Sequence, residues 1–161
     1  MKIYITNLGK YNEGLLVGKW LELPTTEEEI TKTLQEIKIN EEYEEYFISD
    51  YEDFNGIRID EYCSIIELNE QCETLSKYED ELIQAITEAE TTHIERVIDI
   101  LERDNYVFYY GMTLEDVAED IVDECYDLPE FAKRYFDYGE FARDLSYDGY
   151  TEVETGVLLL Q

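Results

Sequence analysis

The sequence has few cations, few cysteines and a single histidine for its length. Its 161 residues include 12 lysines and arginines, one histidine and three cysteines. Only His93 could serve as the base of a Ser-His-Asp site, and no GxSxG stretch accompanies it, so we expect a structural or surface role. Cys63, Cys72 and Cys125 form no CxxC pair and are odd in number. They predict free, mostly buried thiols in a reducing cytoplasm, not a zinc site.

Long apolar runs and glycine-rich loops are also missing. The longest aliphatic run, Val157 to Leu160, is far too short to cross a bilayer, so no membrane segment is expected. No apolar segment typical of a signal peptide follows Lys2. Gly9, Gly14 and Gly18 match no nucleotide-binding fingerprint, which leaves no candidate phosphate loop.

Acidic residues are what the chain has in excess. The 41 acids give a net charge of −29, and each third of the chain holds 13 or 14 of them. Such a coat repels nucleic acid, so direct nucleic-acid binding is not expected, but it attracts proteins that bind phosphates. Adaptation to high salt is the alternative, although 15 tyrosines and 6 phenylalanines are more bulky aromatics than it requires. A content of 44% apolar residues excludes a disordered acidic tail.

The order of periodic segments predicts an α+β chain of three parts. These are a β-rich segment with one helix (1–61), a small helical segment (62–104) and a C-terminal α+β segment (105–161). In the first part we expect a helix capped by Thr25 or Thr26. Strands of this part are predicted at Ile3–Ile5, Leu15–Leu23 and Tyr46–Ser49. A turn is predicted at Asn7–Gly9, and a loop at Asp50–Asp60 follows the third strand.

The other two parts combine short helices with two strands. Three helices are predicted around Ile65–Leu75, Leu82–Ile86 and Ile94–Leu101, because apolar residues recur there at helical spacing. After them come a strand at Asn105–Tyr110, helices at Thr113–Tyr126 and Pro129–Leu145, with Pro129 at a first helical position, and a strand at Tyr150–Leu160.

The stretch from Thr113 to Tyr150 organises the candidate site. Leu114, Val117, Ile121 and Val122 form one apolar helical face, and the opposite face is almost entirely carboxylate. The following segment interleaves aromatic residues with aspartates. The candidate partner-binding acids are Glu115, Asp116, Glu119, Asp120, Asp123, Glu124, Asp137 and Asp144.

Two stretches imitate a calcium loop. Around Gly56, Asp53 and Asn55 fit two ligand positions, but tyrosines occupy the first and last. Around Gly149, Asp144, Ser146 and Asp148 fit three positions, but Thr155 stands where a bidentate glutamate is needed. We therefore expect no metal, no cofactor and no catalytic residue. Suitably spaced carboxylate pairs are no evidence for a glycosidase site, because among 41 acids some pair always has such a spacing.

Four stretches resemble the ArdA antirestriction proteins. They are the opening MKIYITNLGKYNEGLLVGKWLELP, the middle segments EYFISDYE and IDEYCSIIELNE, and the C-terminal LPEFAKRYFDYGEFARDLSYDGY. The resemblance implies a non-enzymatic protein of mobile genetic elements that inhibits type I restriction-modification enzymes. It implies an elongated, three-part homodimer whose carboxylates mimic the phosphates of duplex DNA.

The resemblance also places the dimer contact in the C-terminal part. Large apolar residues are dense there, and the interface candidates are Phe131, Tyr135, Phe136, Tyr138 and Phe141. The competing hypothesis is an acidic chaperone or sink for basic proteins. Disordered acidic runs usually serve that role, whereas this chain concentrates its charge on regular elements. A mimic should discriminate among basic proteins, and a sink should not.

Overall fold

The chain folds into eight helices and two three-stranded antiparallel sheets, in a computed structural model that describes residues 1–161. The strands are β1 (Lys2–Asn7), β2 (Gly18–Glu22), β3 (Tyr46–Glu52), β4 (Tyr106–Tyr110), β5 (Tyr150–Val153) and β6 (Gly156–Leu160). The helices are α1 (Leu8–Asn12), α2 (Glu27–Glu36), α3 (Ile65–Leu75), α4 (Asp80–Ala89), α5 (Ile94–Arg103), α6 (Leu114–Cys125), α7 (Glu130–Lys133) and α8 (Tyr138–Tyr147). The predicted α+β class is confirmed.

The N-terminal sheet has the order β2-β1-β3, with β1 in the centre. Ile3 and Ile5 alternate along β1 and are fully buried, as expected for a strand with one face on a core. Ile3 pairs with Leu21 of β2, and Ile5 pairs with Ile48 of β3. Helix α2 follows β2 and begins at Thr26, whose side chain accepts a hydrogen bond from the backbone N–H of Glu29.

The helices α3, α4 and α5 pack their apolar faces into the same core as the N-terminal sheet. This core extends through buried residues from Ile3 to Leu101 and also includes Leu158 of β6. The first two of the three predicted segments therefore share one core, and the three-part division itself stays a prediction. No helix is both long enough and apolar enough to cross a bilayer.

The C-terminal sheet has the order β4-β6-β5, and its central strand β6 joins two cores. Successive side chains of a strand point to opposite faces. Leu158 accordingly packs into the large core, while Val157 packs into a small second core between the sheet and the helices α6 and α8. Strand β6 thus fixes where α6 and α8 lie relative to the rest of the chain.

Three predictions for the N-terminal segment are wrong. The predicted turn at Asn7–Gly9 is the start of α1, because the Asn7 side chain accepts a hydrogen bond from Lys10 N at 2.9 Å and caps the helix. The second strand begins at Gly18 instead of Leu15, since Leu15 N donates to the carbonyl of Lys10. Strand β3 also extends beyond Ser49 to Glu52, which shortens the predicted loop.

Three predictions for the C-terminal segment are also wrong. The continuous helix predicted over Pro129–Leu145 is divided into α7 and α8, because Asp137 caps α8 by accepting a hydrogen bond from Glu140 N at 3.0 Å. Pro129 is the N-cap of α7 and not its first helical residue. The strand predicted over Tyr150–Leu160 is a hairpin of β5 and β6, with Gly156 at a φ of 150° that favours glycine.

Candidate functional site

Helix α6 is oriented by a cap at its start and by an apolar stripe along its length. The Thr113 hydroxyl accepts a hydrogen bond from Asp116 N, and the Asp116 carboxylate accepts from Thr113 N at 2.8 Å, which completes a capping box. Glu152 of β5 accepts a further bond from Leu114 N at 2.9 Å. Because Val117 and Val122 are buried in the second core, the opposite face must point to solvent.

All six predicted acids of α6 are exposed, but they differ in their local partners. Asp116 belongs to the capping box, and Asp123 forms an ion pair with Lys133 of α7 at 2.6 Å. The other four have neither an ion pair nor a side-chain hydrogen bond, and we call them the open acids of α6: Glu115, Glu119, Asp120 and Glu124. These four are free to meet cations of another molecule.

The capping hydrogen bonds change the pKa of Asp116. Hydrogen bonds from the Thr113 hydroxyl and backbone N–H stabilise the carboxylate, so they lower its pKa. Asp116 is therefore ionised across the neutral range and also stabilises the helix N-terminus, where negative charge is favourable. Its first role is structural, and it contributes to the acidic face as a fixed charge.

The two predicted acids at α8 also differ in whether their side chains have a partner within the chain. Asp137 is the N-cap of α8, whereas Asp144 is exposed and has no side-chain partner. Helix α8 packs against α6 through Ala142 and Leu145 in the second core. The structure thus brings all eight predicted acids onto two adjoining helices, and five of them are unpaired and free of capping duties.

Charge display is not confined to these helices. None of the 41 acids is buried. Ion pairs with lysine or arginine involve nine of them, which leaves 32 acids without a cationic neighbour inside the chain. So large an unpaired surplus is balanced by solvent ions in the free protein, or by the cations of a partner.

One acidic surface was missed by the sequence predictions. Around Gly9 and Tyr43, four glutamates line a depression of about 400 Å³: Glu41, Glu42, Glu44 and Glu45. The run Glu-Glu-Tyr-Glu-Glu is the signal in the sequence that marks this surface. Nearby, Lys10 donates to Glu13 at 2.8 Å and lies over the Tyr43 ring at 4.0 Å, so this cation is already neutralised.

The five aromatic residues predicted at the dimer contact differ in their exposure. Phe131 and Tyr135 are 71% and 85% exposed. Phe136, Tyr138 and Phe141 are half-buried and pack on one another, with ring centroids of Phe136 and Phe141 5.7 Å apart. Only the first two are open to a partner, and α7 itself has no buried residue.

A second apolar surface lies at the free edge of β4. This strand pairs only with β6, so its outer backbone groups have no partner strand. Tyr106, Phe108 and Tyr110 line a groove of about 530 Å³ together with Leu82. The sequence predicted the strand but not its edge position, which depends on the β4-β6-β5 order.

His93 and the cysteines show no arrangement typical of catalysis. His93 is exposed at the start of α5, its imidazole has no hydrogen-bond partner, and it lines a cavity of about 160 Å³ with Arg58 and Cys63. Burial raises the pKa of Cys63 to about 11 and that of Cys72 to about 12, so both are thiols at neutral pH. Cys125 is exposed, which corrects the prediction of mostly buried thiols.

The calcium-like stretch around Gly149 is not shaped as a loop for an ion, because it begins inside a helix. Asp144 and Ser146 belong to α8, and the Ser146 hydroxyl donates to the carbonyl of Arg143 at 2.6 Å. A helical backbone cannot wrap these side chains around one cation in EF-hand fashion. No group of three or more histidine, cysteine or acidic side chains is placed to hold a metal ion.

Fold and site together define a class of protein: an acidic α+β protein with a surface of unpaired carboxylates. The chain belongs to the ArdA family of antirestriction proteins, whose family model matches residues 3–158. This family assigns the chain to inhibitors of restriction and not to enzymes. A comparison with curated protein sequences gave no match.

Proposed function

We propose that this protein mimics duplex DNA with its surface carboxylates and competes with DNA for the binding site of type I restriction-modification enzymes in the cytoplasm. The observation that supports the proposal most strongly is the state of the acids. None is buried and 32 have no internal cation. An enzyme cleft lined with lysine and arginine for phosphates offers the missing cations.

The amount of charge suits a short duplex. Duplex DNA carries one negative charge per about 1.7 Å of its axis. A net charge of −29 then corresponds to about 15 base pairs, and two copies to about 29 base pairs or roughly 100 Å of DNA. The protein offers no scissile phosphodiester and no target base, so the occupied enzyme has nothing to cleave.

Within this surface, the proposed contact includes the adjoining helices α6 and α8. Their acids are held by backbone geometry, since α6 is fixed by its capping box and both helices pack on β6 through the second core. Carboxylates on rigid helices keep their spacing when they meet a partner. A preorganised display loses less conformational entropy on binding than a disordered acidic run.

A homodimer is the proposed active form, held by the C-terminal third. Phe131 and Tyr135 support this assignment because large aromatic side chains with such high exposure are typical of interfaces. The free edge of β4 is a second candidate contact, because an unpaired edge can extend a sheet across two copies. A dimer would double the length of the charged surface.

The experiment that tests the proposal compares two basic partners. One is the DNA-recognition and methyltransferase core of a type I enzyme; the other is a histone octamer, which is basic but lacks the enzyme's cleft. A DNA mimic shaped for that cleft should bind the enzyme core at least tenfold more tightly at the same ionic strength. Equal affinity for both partners would contradict mimicry and support an acidic sink.

A further inference from the structure

A row of three exposed aromatic rings lies on the N-terminal part of the molecule. The ring centroids of Tyr11 and Phe47 are 5.3 Å apart, and those of Phe47 and Tyr62 are 6.5 Å apart. Tyr11 is 55% exposed and Tyr62 is 67% exposed, with Phe47 half-buried between them. We call these three residues the aromatic row. None of them packs against either hydrophobic core.

Backbone hydrogen bonds hold the row together from three separate segments. Strand β1 pairs with β3 and leads directly into α1, and Leu8 N donates to the carbonyl of Glu45 at 3.0 Å, which brings Tyr11 beside Phe47. Ile48 N donates to the carbonyl of Glu61 at 2.8 Å, which brings Tyr62 to the other side. The rings are therefore fixed in place although they add nothing to the core.

Exposed acidic residues border the row in sequence. Glu45 and Glu61 supply the two backbone carbonyls that position the rings, and their side chains are exposed and unpaired. Guanidinium groups stack on aromatic faces and donate paired N–H bonds to carboxylates, and they are less strongly hydrated than ammonium groups. Ring faces beside free carboxylates thus form the surroundings that favour arginine over lysine.

We propose that the aromatic row is a docking surface for arginine side chains of the partner protein. The rings stack on guanidinium planes, and the neighbouring carboxylates accept their N–H groups. The inference rests on the proposed function only for the partner's identity, an arginine-lined DNA-binding surface of a restriction enzyme. The row adds a contact that releases no counterions, so it persists at salt concentrations that screen the carboxylates.

The first test uses labelled nona-arginine and nona-lysine peptides, which have the same charge, in fluorescence anisotropy titrations. The unmutated protein should bind the arginine peptide more tightly. The variant Tyr11→Ala/Tyr62→Ala should bind it about 5- to 30-fold more weakly, as two exposed cation–π contacts imply, and the lysine peptide less than twofold more weakly. An equal loss for both peptides, or no loss for either, would overturn the proposal.

Two control variants separate the ring from other effects. Tyr11→Phe/Tyr62→Phe keeps the rings and should keep the arginine preference. Tyr147→Ala removes a tyrosine outside the row that is even more exposed, at 81%, and should leave the preference unchanged. A loss of the preference in either control would refute stacking at the row. The ring resonances of Tyr11 and Tyr62 should shift with the arginine peptide, and shifts confined to other tyrosines would also refute it.

The second test uses the type I methyltransferase core. The double alanine variant should bind more weakly by a similar factor at every salt concentration, with an unchanged slope of log affinity against log salt. A changed slope would mean that the row acts through charge, against the proposal. If the unmutated protein does not bind this enzyme at all, the proposed function fails, and the peptide titrations still decide whether the row selects arginine.

Discussion

Neutralising the open acids of α6 should weaken inhibition without unfolding the protein. The variant replaces Glu115, Glu119 and Glu124 by glutamine and Asp120 by asparagine. Each exposed charge contact with the enzyme contributes about 0.2–1 kcal/mol, so the loss of four amounts to roughly 1–4 kcal/mol. At about 1.4 kcal/mol per factor of ten, affinity should fall between about fivefold and several hundredfold. The single change Asp120→Asn should alter affinity less than about fivefold.

The fold should tolerate these four changes, because none of the side chains has a partner within the chain. Loss of Glu115 removes a favourable charge from the first turn of α6, and loss of Glu124 removes an unfavourable one from its last turn. Each effect is about 0.3–1 kcal/mol, so they nearly cancel. Weaker self-repulsion should then leave the free energy of unfolding equal or slightly higher.

Inhibition and binding assays with the enzyme core, together with chemical denaturation, measure both quantities. The matched control exchanges the same residues for the other acid, Glu115→Asp, Glu119→Asp, Asp120→Glu and Glu124→Asp. This control keeps the charge and should keep inhibition near that of the unmutated protein. Full inhibition by the neutralised variant, or its unfolding, would refute the role assigned to this face.

Four further predictions follow from the C-terminal segment and from His93. Thr113→Ala should lower the free energy of unfolding by about 1 kcal/mol through loss of the cap, measured by urea denaturation. The lowered pKa of Asp116 means that its stabilising effect is present above its unfolded pKa and lost as pH falls through the folded value, so Asp116→Asn should matter at pH 7 and not at acid pH. Phe131→Ala/Tyr135→Ala should reduce the dimer population in sedimentation experiments with little loss of stability, and a monomeric unmutated chain at micromolar concentration would contradict the dimer. His93→Ala should leave inhibition unchanged, and a folded variant that fails to inhibit would show a role for the histidine.

Local sequence signals predicted those helices and strands whose structure depends on residues close to one another in sequence. The cap at Thr26 was one of the two predicted from a capping-box pattern, and the apolar spacing of α5 and α6 was enough to place both helices. Helix α1 was missed because Asn7 and Gly9 are typical turn residues, whereas here the Asn7 side chain caps a short helix. The apolar pattern likewise predicted one continuous helix over Pro129–Leu145, but the Asp137 side chain caps a separate helix, α8, within it.

The candidate site was predictable as a set of acids but not as an arrangement. Exposure of the acids on α6 follows from helical periodicity, because one face is apolar. Periodicity does not show which of these acids are unpaired, because the ion pair of Asp123 requires Lys133 of α7 to fold back toward α6. Phe131 and Tyr135 are exposed whereas Phe136 is half-buried, and this difference also depends on how the segment after α6 folds.

A competition titration with the type I enzyme core, a labelled duplex and this protein tests the central claim most directly. Measured over a range of salt concentrations, it should show that protein and duplex exclude each other at one surface. The affinity of the protein should fall steeply with salt, because binding releases ions from the enzyme's basic cleft as DNA does. A stable ternary complex of enzyme, duplex and protein, or inhibition that does not change with salt, would contradict DNA mimicry.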